Sequence, residues 1–293
     1  MKKFIIATKI VLALALILAL IAALSSDIFR ISLTAPNYQP DENPSTPPDD
    51  PGSTPGDDIP ERPGTSAPPD ENIPNWTIKP TVVKNSLTDN NGNILCESRY
   101  SYPYVTSNDG SDVSAFADAL DKINSEIKDY VNGRVQLYKL GTSDDFKVPP
   151  QITGYYTINR FSSELFSISF IFSEIMPDGA IREERMNYTL DILLNSSSVT
   201  LDAIMNDAVS AVNGMISAKK EDGKLPSLYG NYEKLVESTI NSSWSVHSDG
   251  ILFFFPAGTI APTSSGPIEV FINGSALSSL LSEYGKILLN ITK

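Results

Sequence analysis

The most constraining feature of the sequence is a stretch near its end, residues 244–284, in which two strand patterns enclose a long loop. Residues 251–255 read ILFFF, and such a short, unbroken, aromatic-rich apolar run is typical of a strand buried on both faces. Pro256 ends this run, and residues 256–266 are mostly small residues and prolines, which predicts a loop. Ile268, Val270 and Ile272 then alternate with Glu269 and Asn273, which predicts a second strand with one exposed face. The two strands would therefore hold the loop at both ends.

Helices are predicted where apolar residues recur three and four positions apart. The first begins at Ser111 or Asp112 and ends at Gly133, with a buried face that runs from Phe116 to Tyr130. The others are a helix capped by Thr200 and ended by Gly223, a helix over residues 232–240, and a helix capped by Ser275 whose apolar face is Leu277, Leu280, Leu281 and Tyr284.

Strand patterns fill most of the intervening sequence. Residues 77–87 and 94–105 flank Asn-Asn-Gly-Asn, which predicts a β-hairpin. Residues 152–158, 166–172 and 186–192 alternate apolar and polar side chains, which predicts an antiparallel meander with one face on a core and the other in solvent. Runs of strands and runs of helices without regular alternation predict an α+β fold. We expect one antiparallel sheet, the meander plus the C-terminal strands, packed with three to four helices.

The N-terminal part has a different character. Residues 1–30 hold Lys2, Lys3 and Lys9 around a long apolar run, which indicates either a cleaved signal peptide or an uncleaved membrane anchor. In both cases the basic residues place the rest of the chain outside the cytoplasm, as a single-pass cell-membrane protein or, after cleavage, as a secreted one. Residues 31–75 contain twelve prolines between Pro36 and Pro74 and repeated aspartates, which predicts a disordered, extended linker.

Charge and cysteine content restrict the partners. The net charge is −13, and residues 76–293 hold 25 acidic and 17 basic residues, which gives −8. This excess argues against nucleic acid as a partner and favours basic proteins. Cys96 is the only cysteine, so the chain contains no internal disulfide.

No residue pattern predicts catalytic or metal chemistry. His247 is the only histidine, whereas a histidine-based zinc site needs several such ligands, and no cofactor motif is present. We therefore predict no catalytic residue, no metal site and no cofactor. A glycan-acting enzyme with a carboxylate pair remains the alternative, because acidic residues are plentiful. The ring run Phe253–Phe255 fits a buried strand better than a sugar-stacking platform.

Several segments together resemble a bacterial extracytoplasmic family. The predicted hairpin, Tyr102-Pro103, the helix FADALDKINSEIKDYVNG and above all FFFPAGTIAPTSSGPIEV at 253–270 resemble the outer domains of RsiV-like anti-sigma factors and the non-catalytic domains of PdaC-like peptidoglycan deacetylases. The resemblance divides the folded part into a PdaC-like α+β subdomain, residues 76–150, and an RsiV C-terminal-like domain, residues 151–293. It implies a membrane-tethered binding module that recognises lysozyme, another basic protein or a cell-wall component. A structural accessory domain with no ligand is the further alternative.

The loop between the two C-terminal strands is the predicted ligand site. Its predicted contact residues are Pro256, Ala257, Pro262, Thr263 and Gly266. Prolines restrict its backbone, and loops on rigid scaffolds often carry binding. Members of the RsiV-like and PdaC-like family tend to carry tyrosine where this chain has Ala257 and Thr263. We therefore expect weaker lysozyme binding or a different ligand.

Overall fold

A computed structural model describes residues 75–139 and 146–290. The predicted membrane segment, 1–30, and all but the last residue of the predicted linker, 31–75, lie outside these ranges. Among the helices within these ranges, none is both long and apolar enough to cross a membrane.

A six-stranded sheet forms the first half of the described chain. Its strands follow one another in space in the same order as in sequence. They are β1 (Trp76–Thr88), β2 (Ile94–Ser107), β3 (Gln151–Phe161), β4 (Leu165–Ile175), β5 (Ile181–Asp191) and β6 (Ser197–Ser198). Neighbours are antiparallel except β2 and β3, which run parallel over four residue pairs. The predicted hairpin is confirmed as β1 and β2, and the predicted meander as β3, β4 and β5.

Helix α1 (Ser114–Gln136) covers one face of this sheet. The helix buries one stripe of side chains against the aromatic residues of β4, which alternate along that strand. The buried set is Phe116, Leu120, Ile123, Ile127 and Val131 from the helix, with Phe166, Phe170 and Phe172 from the strand. The prediction that the helix ends at Gly133 is wrong, because its backbone hydrogen bonding continues to Gln136. Arg134 in the last turn of the helix and Tyr138 just after it both donate to the buried Glu174 of β4.

A second, three-stranded sheet and five short helices form the rest. The strands are β7 (Trp244–His247), β8 (Gly250–Phe255) and β9 (Ile268–Asn273), all antiparallel. The helices are α2 (Leu201–Ile204), α3 (Ala208–Glu221), α4 (Tyr232–Thr239), α5 (Gly274–Leu277) and α6 (Glu283–Leu288). These helices and the strands Ile251–Phe255 and Ile268–Ile272 enclose a second apolar core.

Two predicted helices are each divided in two. Asp207 adopts a left-handed φ of 46° and separates α2 from α3, so the predicted helix from Thr200 to Gly223 is interrupted. The last predicted helix is divided into α5 and α6, and its cap is not Ser275. Asn273 accepts from Ala276 N at the start of α5, and Ser282 accepts from Gly285 N at the start of α6.

The second face of the large sheet differs from the prediction. Ser167 and Ser169, expected in solvent, are buried, because β7 lies against β3, β4 and β5 on that side. The Ser167 hydroxyl accepts a hydrogen bond from the Val246 backbone N–H at 3.1 Å. The α+β class is confirmed, but as two sheets and six helices in the described chain rather than one antiparallel sheet with three to four. The predicted division at 150/151 falls inside the six-stranded sheet and stays a prediction.

Candidate functional site

The predicted ligand loop consists of two short turns rather than one open loop. Ile260 and Ala261, at its middle, are buried in the second core. The Ile260 carbonyl accepts from Tyr229 N at 3.1 Å, which ties the middle of the loop to the segment before α4. One turn is closed by Thr259 N donating to Pro256 O at 3.0 Å, and the other by Ser265 N donating to Pro262 O at 2.8 Å. The apolar pair Ile-Ala within a loop was the sequence signal for this anchor.

The five predicted contact residues lie on these two turns. Ala257 and Thr263 are exposed, whereas Pro256, Pro262 and Gly266 are half-buried. Gly258 has a φ of 84°, and a β-carbon built there would lie 3.0 Å from Thr263 Oγ1. The two turns are therefore side by side, and the exposed Thr263 stands beside the turn that carries Ala257.

A groove of about 730 Å³ begins at the first turn. Pro256 and Thr259 line one end of it, and the other lining residues come from four separate parts of the chain. These are residues 184–189 of β5, 198–202 before and within α2, 239–244 between α4 and β7, and Phe254. No local sequence pattern predicts the groove, because only the fold brings these segments together. Its volume lies within the ~300–1,000 Å³ typical of ligand sites.

Arg185 and Phe254 pack together in this groove. The guanidinium carbon lies 3.9 Å from the centre of the Phe254 ring, which is a cation–π contact. Within the described residues, Arg185 Nε is buried without a hydrogen-bond partner, and no carboxylate lies within ion-pair distance of Arg185. Burial lowers the pKa of the Arg185 guanidinium, and Glu269 opposes that shift through space. A half-buried cation whose Nε is enclosed without a partner would gain from an anionic partner.

A chain of amide and hydroxyl groups connects the interior of the sheet to Asn187 and Ser242, which line the groove. Asn159 Nδ2 donates to Ser169 Oγ at 2.7 Å, and Ser169 Oγ donates to Asn187 Oδ1 at 2.7 Å. Asn187 Nδ2 in turn donates to the Ser242 carbonyl at 3.3 Å, across the groove. These contacts link β3, β4 and β5 to the wall formed by residues 239–244. The groove is therefore held at a defined width before any ligand enters it.

Of the remaining reactive side chains, His247 is half-buried and Cys96 is fully buried. His247 Nε2 lies 3.1 Å from Ser245 Oγ, and Ser245 is 1% exposed. Burial lowers the pKa of His247 below its ordinary value. Cys96 is fully buried, and burial raises the pKa of its thiol to about 11. Among the described residues, no group of three or more His, Cys, Asp and Glu side chains is placed to hold a metal ion.

Comparison with known families places a match over the second core. Residues 199–275 match the model of DUF3298, a family described as a protein of unknown function. This segment contains α2, α3, α4, the three-stranded sheet and both turns of the predicted loop. No curated protein matches the chain.

The solved structures that match the chain include two DUF3298 family proteins. A DUF3298 family member from Bacteroides fragilis is 14% identical, with 75% of this chain and 100% of that chain aligned and a TM-score of 0.51. A DUF3298 family protein from Pseudomonas aeruginosa PAO1 is 9% identical, with 72% and 95% aligned and a TM-score of 0.45. At 14% identity, the similarity to the Bacteroides fragilis structure shows a shared fold and gives no information about ligands.

Proposed function

We propose that the chain is a membrane-tethered extracytoplasmic binding module of the bacterial cell envelope, which recognises lysozyme or a cell-wall ligand. The observation that carries the proposal is the placement of the two turns. Ala257 and Thr263 are exposed on adjoining turns, and the first turn also forms one end of the groove. Both turns lie in 253–270, the segment that carries the RsiV-like and PdaC-like resemblance, and this segment lies within the DUF3298 match.

Rigidity of the two turns supports a role in recognition. Each turn is closed by its own backbone hydrogen bond, and the buried Ile260 and Ala261 hold the stretch between them. A surface that is already ordered loses less conformational entropy when a partner binds. An aromatic side chain added at Ala257 or Thr263 would therefore be presented by a fixed backbone.

Charge supports a basic partner. Residues 76–293 carry −8, and lysozyme-like proteins are basic, so long-range attraction would speed the encounter. Such attraction weakens as salt rises, because the Debye length falls to about 8 Å at physiological ionic strength. Salt dependence thus distinguishes the proposed contact from a purely apolar one.

The test measures lysozyme binding to the parent protein and to Ala257→Tyr and Thr263→Tyr at low and physiological salt. We expect weak, salt-sensitive binding by the parent and tighter binding, on the order of tenfold, by at least one tyrosine variant. Ser125→Tyr, on the exposed side of α1, is the matched control, because it adds the same ring far from the turns in sequence and on another element. All variants are compared by melting temperature first.

Two results would contradict the proposal. If no variant binds lysozyme or soluble wall fragments even at low salt, the recognition function is wrong for both ligand classes. If Ser125→Tyr strengthens binding as much as the loop variants do, the added ring is non-specifically sticky and the turns are not the contact surface.

A further inference from the structure

Strand β5 has one edge that is mostly unpaired. The strand is bonded to β4 along its whole length, from Ile181 to Asp191. On its other side the described chain pairs it with β6 only at Leu190 and Asp191, and Val199 N adds one bond to Thr189 O at 2.9 Å. From Tyr188 back to Ile181, no described strand pairs with this edge of β5. The rest of the edge therefore presents backbone groups without a strand partner.

Strand geometry identifies those backbone groups. The N–H and C=O groups of successive residues point to opposite edges of a strand, so every second residue faces the same edge. Since the Thr189 carbonyl faces the open edge, the main-chain groups of Asn187, Arg185 and Glu183 face it as well. Thr189 to Glu183 spans roughly 20 Å at about 3.4 Å per residue. This is the length of a typical β-strand.

The open edge coincides with the groove. Residues 184–189 of β5 form one wall, and residues 239–244, Phe254, Pro256 and Thr259 line the other sides. Folded proteins usually cover or charge their edge strands, since an open edge pairs with other chains. Here the edge carries the charged residues Glu183 and Arg185 and lines a groove of about 730 Å³.

Arg185 adds a charge requirement at the centre of this edge. Its guanidinium is stacked on Phe254; Glu269 and Glu183 act on it through space, but no described carboxylate lies within ion-pair distance. A strand bound opposite it would place side chains within reach of Arg185. A carboxylate at that position would form a charge-assisted hydrogen bond with the guanidinium.

We propose that the groove binds an extended acidic peptide segment of another protein, which adds to β5 as an extra strand and pairs a carboxylate with Arg185. The regular spacing of the main-chain groups matches a peptide backbone and has no counterpart in a glycan. The inference goes beyond the proposed recognition of lysozyme, because it stands on the β5 edge and not on Ala257 or Thr263.

The experiment selects binders from a phage-displayed library of random linear dodecapeptides and measures them as synthetic peptides. We expect the selected peptides to carry Asp or Glu and to bind Arg185→Gln on the order of tenfold more weakly. Amide exchange provides the structural readout. In the complex, exchange should slow at Arg185 and Asn187, whose N–H groups face the edge, and stay unchanged at Glu184 and Met186, which bond to β4.

Glu183→Pro removes one edge-facing donor without removing a bond to β4, and proline is tolerated at edge positions. We expect it to weaken peptide binding with the melting temperature kept near that of the parent. If it fails to fold, the exchange data and Arg185→Gln still decide the question. Thr263→Tyr, whose residue does not line the groove, should leave peptide binding unchanged, which separates this site from the exposed turns.

Three results would overturn the inference. The first is that no selected peptide slows exchange at Arg185 and Asn187. The second is that selected peptides bind Arg185→Gln as well as the parent, since the charge requirement would then be absent. The third is a dimer in sedimentation that Glu183→Pro dissociates, because the edge would then belong to a second copy of the chain.

Discussion

At the residue scale, adjacent aromatic residues on β8 have different environments. Phe253 and Phe255 are fully buried in the second core, as the apolar run predicted. Phe254 points to the opposite face, where it packs under Arg185 and lines the groove. The sequence could predict a strand buried on both faces, but not that one face meets a cation. That contact depends on β5, which lies about seventy residues earlier in the chain.

His247 makes stability depend on pH. Burial lowers its pKa below 6.5, with Arg185 acting in the same direction and Asp249 and Glu269 opposing it. The unfolded chain therefore binds a proton that the folded chain does not, in the window from the lowered pKa up to about 6.5. Folding stability should consequently fall as pH falls through that window. Ser245 Oγ and the Phe271 ring are its other neighbours, and neither titrates there.

We expect His247→Gln to reduce this pH dependence. The measurement is the urea midpoint of the parent and the variant at pH 7 and pH 5.5. The parent should lose more stability than the variant between the two values, because glutamine cannot take up the proton. Equal losses would show that His247 is not the titrating group, and that carboxylates account for the change.

At the element scale, sequence patterns predicted the helical segments and every strand except β6 and β7, and tertiary contacts decided where each helix ends or is interrupted. Alternation in β3, β4 and β5 correctly predicted the meander, yet the polar side of β4 is buried because β7 packs on it. The break at Asp207 has no glycine or proline to signal it. Conversely, Gly133 and Gly214 resemble helix ends but lie inside α1 and α3.

Gly133 offers a direct test of the corrected helix. A β-carbon there meets nothing within 4 Å, and its φ is not in the left-handed region. We expect Gly133→Ala to raise the unfolding free energy by about 0.5–1 kcal/mol, since alanine favours the helix and restricts the unfolded chain. If the helix instead ended at this glycine, the substitution would destabilise the protein.

Gly154 is the matched control for that substitution. It lies on β3, where a β-carbon would stand 2.6 Å from the buried ring of Phe172. We expect Gly154→Ala to lower the unfolding free energy by roughly 1–3 kcal/mol, because the core has to move to accept the methyl group. Urea unfolding of both variants beside the parent measures the two opposite effects.

At the scale of the whole molecule, the sequence predicted the α+β class but not how the strands combine. Local patterns specify antiparallel neighbours that follow each other in sequence. The sequence could therefore predict the pairing of β1 with β2, and that of β4 with β3 and β5. The parallel pairing of β2 with β3 joins segments separated by α1, and no local pattern specifies it. The groove is even less predictable from local patterns, because its lining residues come from five separate segments between positions 184 and 259. Of its lining residues, only Pro256 was predicted as a contact residue.

The two cores share one strand, which has a consequence for unfolding. Leu165 of β4 belongs to the core with the three-stranded sheet, whereas its neighbour Phe166 belongs to the core under α1. Strand β4 is central in the six-stranded sheet, so both cores lose part of their packing if β4 detaches from the sheet. We therefore expect the cores to unfold together, as a single cooperative transition.

The two tryptophans report on the two cores separately. Trp76 stacks on Phe116 with ring centroids 5.2 Å apart, in the core under α1. Trp244 is 6% exposed in the other core and donates to the Asn241 carbonyl. In Trp244→Phe the fluorescence comes from Trp76, and in Trp76→Phe it comes from Trp244. Within each variant, we expect the urea midpoint by fluorescence to equal the midpoint by far-ultraviolet circular dichroism. A fluorescence transition that precedes the dichroism transition in either variant would show that one core opens alone, and that β4 does not couple them.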